Sequence, residues 1–149
     1  YLTIHIWPKN WGWLADADLD KALANAEVET RKYIDLNLAV ADKLNKPLVI
    51  EEFGFPRDGR SFDRTAATHL RDRYFEAVLS NIGGTVAGAN FWAFAGRGRA
   101  ANTDFIRKAG DDYTGDPPME EQGLNSVFDT DRTTLSLLKK AARKAKRLK

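Results

Sequence analysis

Leu2, Ile4 and Ile6 alternate with Thr3, His5 and Trp7 at the start of the chain, a period of two that predicts a strand over residues 1–7. Pro8 breaks it, and residues 8–13 read as a loop rich in aromatic side chains. From about Asp18 to Leu44 the apolar positions take helical spacing. Leu19, Ala22, Leu23 and Ala26 form one stripe, and Tyr33, Ile34, Leu38, Ala41 and Leu44 form a second. Asp16 or Asp18 supplies an N-cap, and Pro47 lies just past the end. The apolar run Leu48-Val49-Ile50 then ends in two adjacent carboxylates, Glu51 and Glu52, before Phe53-Gly54-Phe55-Pro56. Such a run reads as a buried strand of a parallel sheet. After a loop over residues 56–62, Asp63 is the expected N-cap of a helix reaching about Ile82. Leu70, Tyr74, Ala77, Val78 and Ile82 face inward, and Gly83-Gly84 stops it. A third strand is expected from about Thr85 to Phe94, with Ala87, Gly88, Ala89 and Ala93 predicting crowding on one side. Residues 95–130 show little periodicity, and unstructured stretches of that length inside a compact domain are usually lids or binding loops. Asp131 opens a last helix through Leu135, Leu137, Leu138, Ala141 and Ala142.

The order strand, helix, strand, helix, strand, long loop, helix predicts a parallel sheet with right-handed crossovers. Three parallel strands leave open edges, and parallel sheets are normally covered on both faces. A three-stranded α/β sandwich, a doubly wound sheet with further strands, and the last three units of an eight-fold barrel all answer to this order. The 149 residues make one domain's worth, and 43% apolar residues with four Trp and eight Phe exclude disorder. The formal net charge of +2 argues against a dedicated nucleic-acid surface. Lys139, Lys140, Arg143, Lys144, Lys146, Arg147 and Lys149 crowd the last helix; this is read as a solvated face, with contact to an acidic partner as the alternative. The absence of cysteine removes disulfides, thiolate chemistry and Cys-based zinc sites. No stretch approaches the ~18 apolar residues of a membrane span. The first residue is Tyr inside a strand, so an upstream part carrying any targeting signal is expected. Gly96-Arg97-Gly98-Arg99 is not followed by a helix start, so a phosphate-binding reading is set aside.

If the strands are parallel, one rim collects unusual chemistry. Strand one ends in His5 and Trp7, followed by Trp11 and Trp13; strand two ends in Glu51 and Glu52; strand three carries Trp92 ahead of Arg97 and Arg99. Each has an ordinary explanation alone: a satisfied strand histidine, a solvated acid, a core indole. Together they suit a sugar, whose ring has an apolar face for indole and hydroxyls for charged partners. A glutamate near an anomeric carbon can act as nucleophile while a second carboxylic acid protonates the leaving oxygen. A metal site is the weaker rival, because the two histidines, His5 and His69, sit on different elements without ligand spacing.

Ile50-Glu51-Glu52-Phe53-Gly54 resembles the nucleophile strand of glycoside hydrolase family 5, in the clan of retaining (β/α)8-barrel hydrolases. There the nucleophile is the Glu immediately before an aromatic-Gly pair at the end of the seventh strand, which implies Glu52, with Glu51 behind it as a supporting residue. Thr3-Ile4-His5-Ile6-Trp7-Pro8 resembles the sixth-strand His-x-aromatic motif, with Trp7 where Tyr is frequent. The Tyr usually hydrogen-bonds the nucleophile, and an indole N–H can do so as a donor only. Gly88-Ala89-Asn90-Phe91-Trp92-Ala93-Phe94 resembles the eighth strand, whose Trp is the sugar platform. Within the family, residues 113–129 resemble the loop after that strand in bacterial endo-β-1,4-mannanases. The family's acid/base Glu, in an Asn-Glu motif on the fourth strand, has no counterpart here; Asn25-Ala26-Glu27 lies in a helix.

The resemblance therefore implies that residues 1–149 are the C-terminal part, about strands six to eight with their helices, of a single (β/α)8 TIM-barrel catalytic domain. The upstream part of the barrel would be the partner that brings the acid/base Glu. The implied reaction is retaining endo-hydrolysis of β-1,4-mannosidic linkages in mannan, glucomannan, galactomannan or manno-oligosaccharides, by double displacement with Glu52 as nucleophile. His5, Trp7, Trp11, Trp92, Arg97, Arg99 and Asp104 are the implied sugar contacts, and no metal or organic cofactor is required. The rivals are a β-1,4-glucanase or exo-β-mannosidase of the same clan, a non-catalytic carbohydrate-binding barrel, and a small α/β interaction domain whose aromatics are core. Residues 1–149 alone are expected to be inactive and poorly soluble, because open strand edges expose apolar surface. A polymeric substrate outside the cell implies secretion, a periplasmic location or surface attachment.

Overall fold

Strands β1 (Leu2–Ile6), β2 (Leu48–Phe53) and β3 (Val86–Phe91) form one parallel sheet, in that order, in the computed structural model, which describes residues 1–15, 17–99, 104 and 106–147. Between them run helices α1 (Leu19–Lys43) and α2 (His69–Leu79). Ile4, Ile6, Leu48, Ile50, Phe53 and Val86 share one core with Leu23, Ala26, Ile34, Tyr74, Phe75 and Val78 of these helices. Thr3 and His5 on the alternate positions are exposed, and Val49 is half-buried. A doubly wound sheet reverses its strand order at a switch point. Here the order runs straight through, as in the successive units of a (β/α)8 barrel.

Local chemistry sets the element ends. Asp18 caps α1, its Oδ1 accepting from the Asp20 N–H at 3.0 Å and the Lys21 N–H at 3.4 Å; the other cap candidate, Asp16, lies outside the described residues. At the far end Asn45 takes a left-handed φ of 49°, the Lys46 N–H reaches Ala41 O and the Asn45 N–H reaches Asp42 O. These are the two bonds of a Schellman motif, which satisfy carbonyls left without helical partners. The inward positions hold along α1 except at Leu44, which is 53% exposed in the C-cap, while Thr30 is buried because its hydroxyl pairs with the Tyr74 hydroxyl at 2.7 Å.

Three expectations need correction. The second helix starts at His69, not after Asp63. Asp63 instead accepts from the Thr65 N–H in a local turn, and the cap comes from Asp58, whose carboxylate accepts from the N–H groups of His69 and Leu70 at 3.1 and 2.9 Å. The third strand ends at Phe91: Phe94 belongs to β4 (Phe94–Gly96), which pairs in parallel with β5 (Val127–Phe128), and the Trp92–Ala93 peptide between β3 and β4 is cis. The expected crowding falls at Ala93, against Gly115, and not at Gly88, where an added Cβ would meet nothing within 4 Å; further close approaches are at Gly54 and Gly98.

Helix α3 (Arg132–Lys146) follows Asp131 as expected, but Leu135, Leu137, Leu138 and Ala141 are only partly buried, Ala142 is exposed, and the buried position is Thr134. Asp131 is itself 5% exposed, and its carboxylate is turned inward instead of capping the helix. Arg57 Nη2 donates to both its oxygens at 2.8 and 2.6 Å, Arg71 Nη1 approaches at 3.4 Å, and the Phe128 N–H donates at 2.9 Å. Arg71 also donates to the carbonyls of Phe55, Leu124 and Ser126 at 3.0, 3.2 and 2.8 Å. Burial, with the Arg57 charge beside it, pushes the Arg71 guanidinium down to about 10, so it stays charged at neutral pH. This network ties the loop after β2, the start of α2 and the segment ahead of α3 into one block.

Candidate active site

The carboxyl end of β2 departs from strand alternation where the chemistry lies. Ile4 pairs with Ile50 but His5 pairs with Glu52, so Glu51 is the extra residue of a bulge. A bulge re-aims side chains locally, and here it leaves both carboxylates on the histidine. His5 Nδ1 lies 3.1 Å from Glu52 Oε2 and Nε2 lies 3.4 Å from Glu51 Oε2; whichever nitrogen carries a proton donates to the acid it faces. The Trp7 indole N–H donates to the same Glu52 oxygen at 3.3 Å. Glu52 is the less exposed of the pair, with 29% of its side chain accessible against 44% for Glu51.

Glu52 rests on a stiff aromatic bed. Phe53 contacts Phe75 edge to face at 4.9 Å, Phe75 meets Phe91 at 6.1 Å, and Phe55 stacks on Tyr74 at 4.6 Å. The Trp92 N–H donates to Phe53 O at 2.7 Å, and the Trp92 ring meets the Trp7 ring edge-on at 6.1 Å. Gly54 explains the aromatic-Gly pair physically. A Cβ at this position would lie 2.7 Å from Trp7 Cζ3 and 3.3 Å from the Trp92 carbonyl oxygen, so glycine lets the Trp7 indole and the Trp92 backbone approach the strand end.

The structure thus brings His5, Trp7, Glu51, Glu52 and Trp92 together. It places the remaining candidates elsewhere. Trp11 packs edge-on against Trp13 and Tyr33 at 4.8 and 5.1 Å, so its ring belongs to the cluster over α1. Arg99 is a loop staple: it donates to Gly96 O and Gly98 O, lies 4.9 Å over the Phe128 ring, and pairs with Asp129 at 2.6 Å, holding that carboxyl below the usual range. Arg97 is exposed beside the same carboxylate. Asp104 is engaged locally, accepting from the Ile106 N–H at 3.0 Å and Lys108 Nζ at 3.1 Å. The long segment expected to be a lid falls partly on residues 100–103 and 105, outside those described. Over 113–127 it is a packed block, with Thr114, Asp116, Gln122, Asn125 and Ser126 buried. Among the described residues no group of three or more His, Asp or Glu side chains is placed to hold a metal ion, and no helix is long and apolar enough to cross a membrane.

A parallel sheet of straight strand order, with a bulged Glu-Glu strand end between a histidine and two tryptophans, has the form of successive units of a (β/α)8 barrel with its chemistry at the strand ends. The chain belongs to glycoside hydrolase family 5: the model described as GH family 5 beta-mannosidase-like matches residues 1–149. Among solved structures, the chain is similar to the family 5 mannosidase of Rhizomucor miehei, at 30% identity and a TM-score of 0.86, over 99% of this chain and 38% of that one. A glutamate-to-alanine variant of the same enzyme, in complex with mannosyl-fructose, superposes with a TM-score of 0.83. The endo-β-1,4-mannanase of Thermotoga petrophila shares the fold, with a TM-score of 0.58 at 24% identity over 96% of this chain and 25% of that one. No curated protein matches the chain. The fold is that of the C-terminal portion, about strands six to eight with their helices, of a (β/α)8 barrel, and the chain spans well under half the length of these relatives.

Proposed function

We propose that residues 1–149 form the C-terminal part of a single barrel domain that hydrolyses β-mannosidic linkages with retention, and that Glu52 is its nucleophile. The observation that carries this is Glu52 Oε2 held between His5 Nδ1 and the Trp7 indole N–H at the mouth of the sheet. Glu52 attacks the anomeric carbon as the C–O bond to the leaving sugar breaks. The leaving oxygen takes its proton from an acid/base Glu of the upstream barrel, the partner this reading requires. Water, deprotonated by that same residue, then releases the glycosyl unit and frees Glu52. His5 and Trp7 hold the carboxylate in its attack position, Trp92 carries the sugar ring, and Glu51 orients His5. The chemistry needs no cofactor.

Two modes of chain cleavage follow from different observations. The loop over residues 113–129 favours endo attack on mannan, whereas the β-mannosidase-like family description favours removal of terminal mannose. A mannan-degrading role places the protein in a secreted, periplasmic or surface setting. The test is to incubate the complete polypeptide carrying this sequence with linear mannan, mannohexaose and a soluble cellulose derivative, following products by chromatography and the first-formed anomer by NMR. β-Configured products from the mannose substrates are expected. Mixed short oligomers would mark endo cleavage, and mannose alone would mark exo cleavage. Release from cellulose only would move the substrate to glucan, α-configured products would remove Glu52 from its role, and binding without release would make this a carbohydrate-binding barrel.

A second expected outcome tests the packing over the nucleophile. Gly54→Ala pushes the Trp7 ring off its position, and misplacements of this size cost about ten- to a hundredfold in rate. The variant should lower kcat on mannohexaose by that factor with the thermal midpoint changed far less, as calorimetry and initial rates will read. An unchanged kcat would mean the Trp7 contact to Glu52 has no catalytic weight.

A further inference from the structure

The block over residues 113–127 does more than fill space. Gly115, at a φ of 94°, sits so close to Ala93 that an added Cβ would lie 2.7 Å from the Ala93 Cβ and 3.5 Å from its carbonyl carbon. The Ala93 carbonyl is held from the same block, accepting from the Val127 N–H at 2.8 Å. Ala93 immediately follows Trp92, whose own N–H is fixed on Phe53 O. The backbone that carries the indole is therefore held on one side by the strand of Glu52 and on the other by this block.

A chain of buried hydrogen bonds makes the block rigid. Asp116, 2% exposed, accepts from the Gly123 N–H at 2.7 Å and the Ser126 hydroxyl at 2.9 Å, and that hydroxyl also contacts Thr114 O. Gln122 accepts from the Thr114 hydroxyl at 2.7 Å and donates to Pro117 O and Glu120 O at 2.7 and 2.9 Å. Arg71 anchors the block to α2 through Leu124 O and Ser126 O. A connected buried polar network of this kind specifies one arrangement and resists drift.

We infer that residues 113–127 set the orientation of the Trp92 ring, with Gly115 and Asp116 as positioning residues that act through Ala93. The inference rests on the reading of Trp92 as the sugar platform. A platform contributes most when its ring is placed before the sugar arrives, since no ordering is then left to be done on binding.

The test is a double-mutant cycle in the complete polypeptide carrying Glu52→Gln, with mannohexaose affinity read by calorimetry. Trp92→Ala and Gly115→Ala are each expected to weaken binding by about tenfold, within the range for displaced positioning groups. The double variant should be no weaker than Trp92→Ala alone, within about twofold, because coupled residues do not add. Adding Ala93→Gly to Gly115→Ala removes the Cβ–Cβ clash but leaves a non-glycine residue at a φ of 94°, so it should recover part of the loss. Asp116→Asn keeps one acceptor oxygen but puts an NH2 donor in place of the other, so the carboxylate's bonds to the Gly123 N–H, the Ser126 hydroxyl and Asn125 cannot all be kept; it should weaken binding by a smaller factor, again only when Trp92 is present. If Gly115→Ala does not fold, this second variant carries the cycle. Losses that multiply in the double variant, or Gly115→Ala and Asp116→Asn binding unchanged while Trp92→Ala weakens it, would overturn the inference and leave the platform reading standing. Trp92→Ala without effect, or no binding by the parent, would overturn the platform reading and the inference with it.

Discussion

Glu52→Gln in the complete polypeptide is expected to lower kcat on mannohexaose by about ten-thousandfold to a millionfold, the scale seen when a covalent nucleophile is removed from a set of residues that act together. The substitution is nearly isosteric. A Gln amide oxygen still accepts from the Trp7 indole N–H, and the bed of Phe53, Phe75 and Phe91 beneath it is untouched. Substrate affinity should therefore stay within a few-fold, so the loss falls on the chemical step. Glu51→Gln is the internal control. Among the described residues its carboxylate meets the far nitrogen of His5, at 3.4 Å, and an effect below about tenfold is expected for a residue that orients another. Glu52→Ala adds a sharper discriminator, since it leaves room beside the anomeric carbon for a small anion. Azide should restore turnover of an activated mannoside and appear in the product as an α-mannosyl azide. Loss of activity in Glu51→Gln with full activity in Glu52→Gln would exchange the two assignments.

That both acids meet His5 comes from a feature the sequence does not print. Alternation along Leu48-Val49-Ile50 predicts that Glu51 and Glu52 point to opposite faces. The bulge between Ile50 and Phe53 breaks that count and leaves both acids against His5. The strands themselves were legible because period-two alternation and Pro or Gly punctuation act locally. Helix α1 was legible because Asp18 and Asn45 supply its end chemistry within a few residues. The start of α2 was not, because its cap, Asp58, reaches across a short 3-10 turn from eleven residues before His69. Asp63 offered the standard local signal and used it on Thr65. In the site, His5, Trp7 and Glu52 were readable from a motif on two neighbouring strands. Trp11, Arg99 and Asp104 stand apart from this cluster, which the sequence does not show, because an aromatic or charged side chain in a loop looks the same whether or not it meets Tyr33, Asp129 or Lys108.

The least legible element carries the second large expectation. Asp131 stands at the N-cap position of α3, and the sequence shows it only as the residue that opens that helix. The structure spends its carboxylate on Arg57 and Arg71, 74 and 60 residues away in the chain, a pairing no periodicity reveals. Arg57 and Arg71 are both 0% exposed, and taking two guanidinium groups out of water is tolerable only while the charge between them is present. Asp131→Ala is therefore expected to destabilise the complete protein by about 3–5 kcal/mol, the cost of leaving buried charge without its partner. The effect should reach the active site. Without the carboxylate, Arg71 loses the charge that holds it across Phe55 O, Leu124 O and Ser126 O, and with it the tie between the nucleophile loop and residues 113–127. Removing the exposed Lys140–Glu76 pair, 3.8 Å apart at the surface, provides the contrast: Lys140→Ala should change stability by no more than about 0.5 kcal/mol. Denaturant unfolding of both variants beside the parent reads the difference directly. A loss in Asp131→Ala no larger than in Lys140→Ala would mean that the two arginines find other partners on losing Asp131, and that the block beneath the active site does not depend on it.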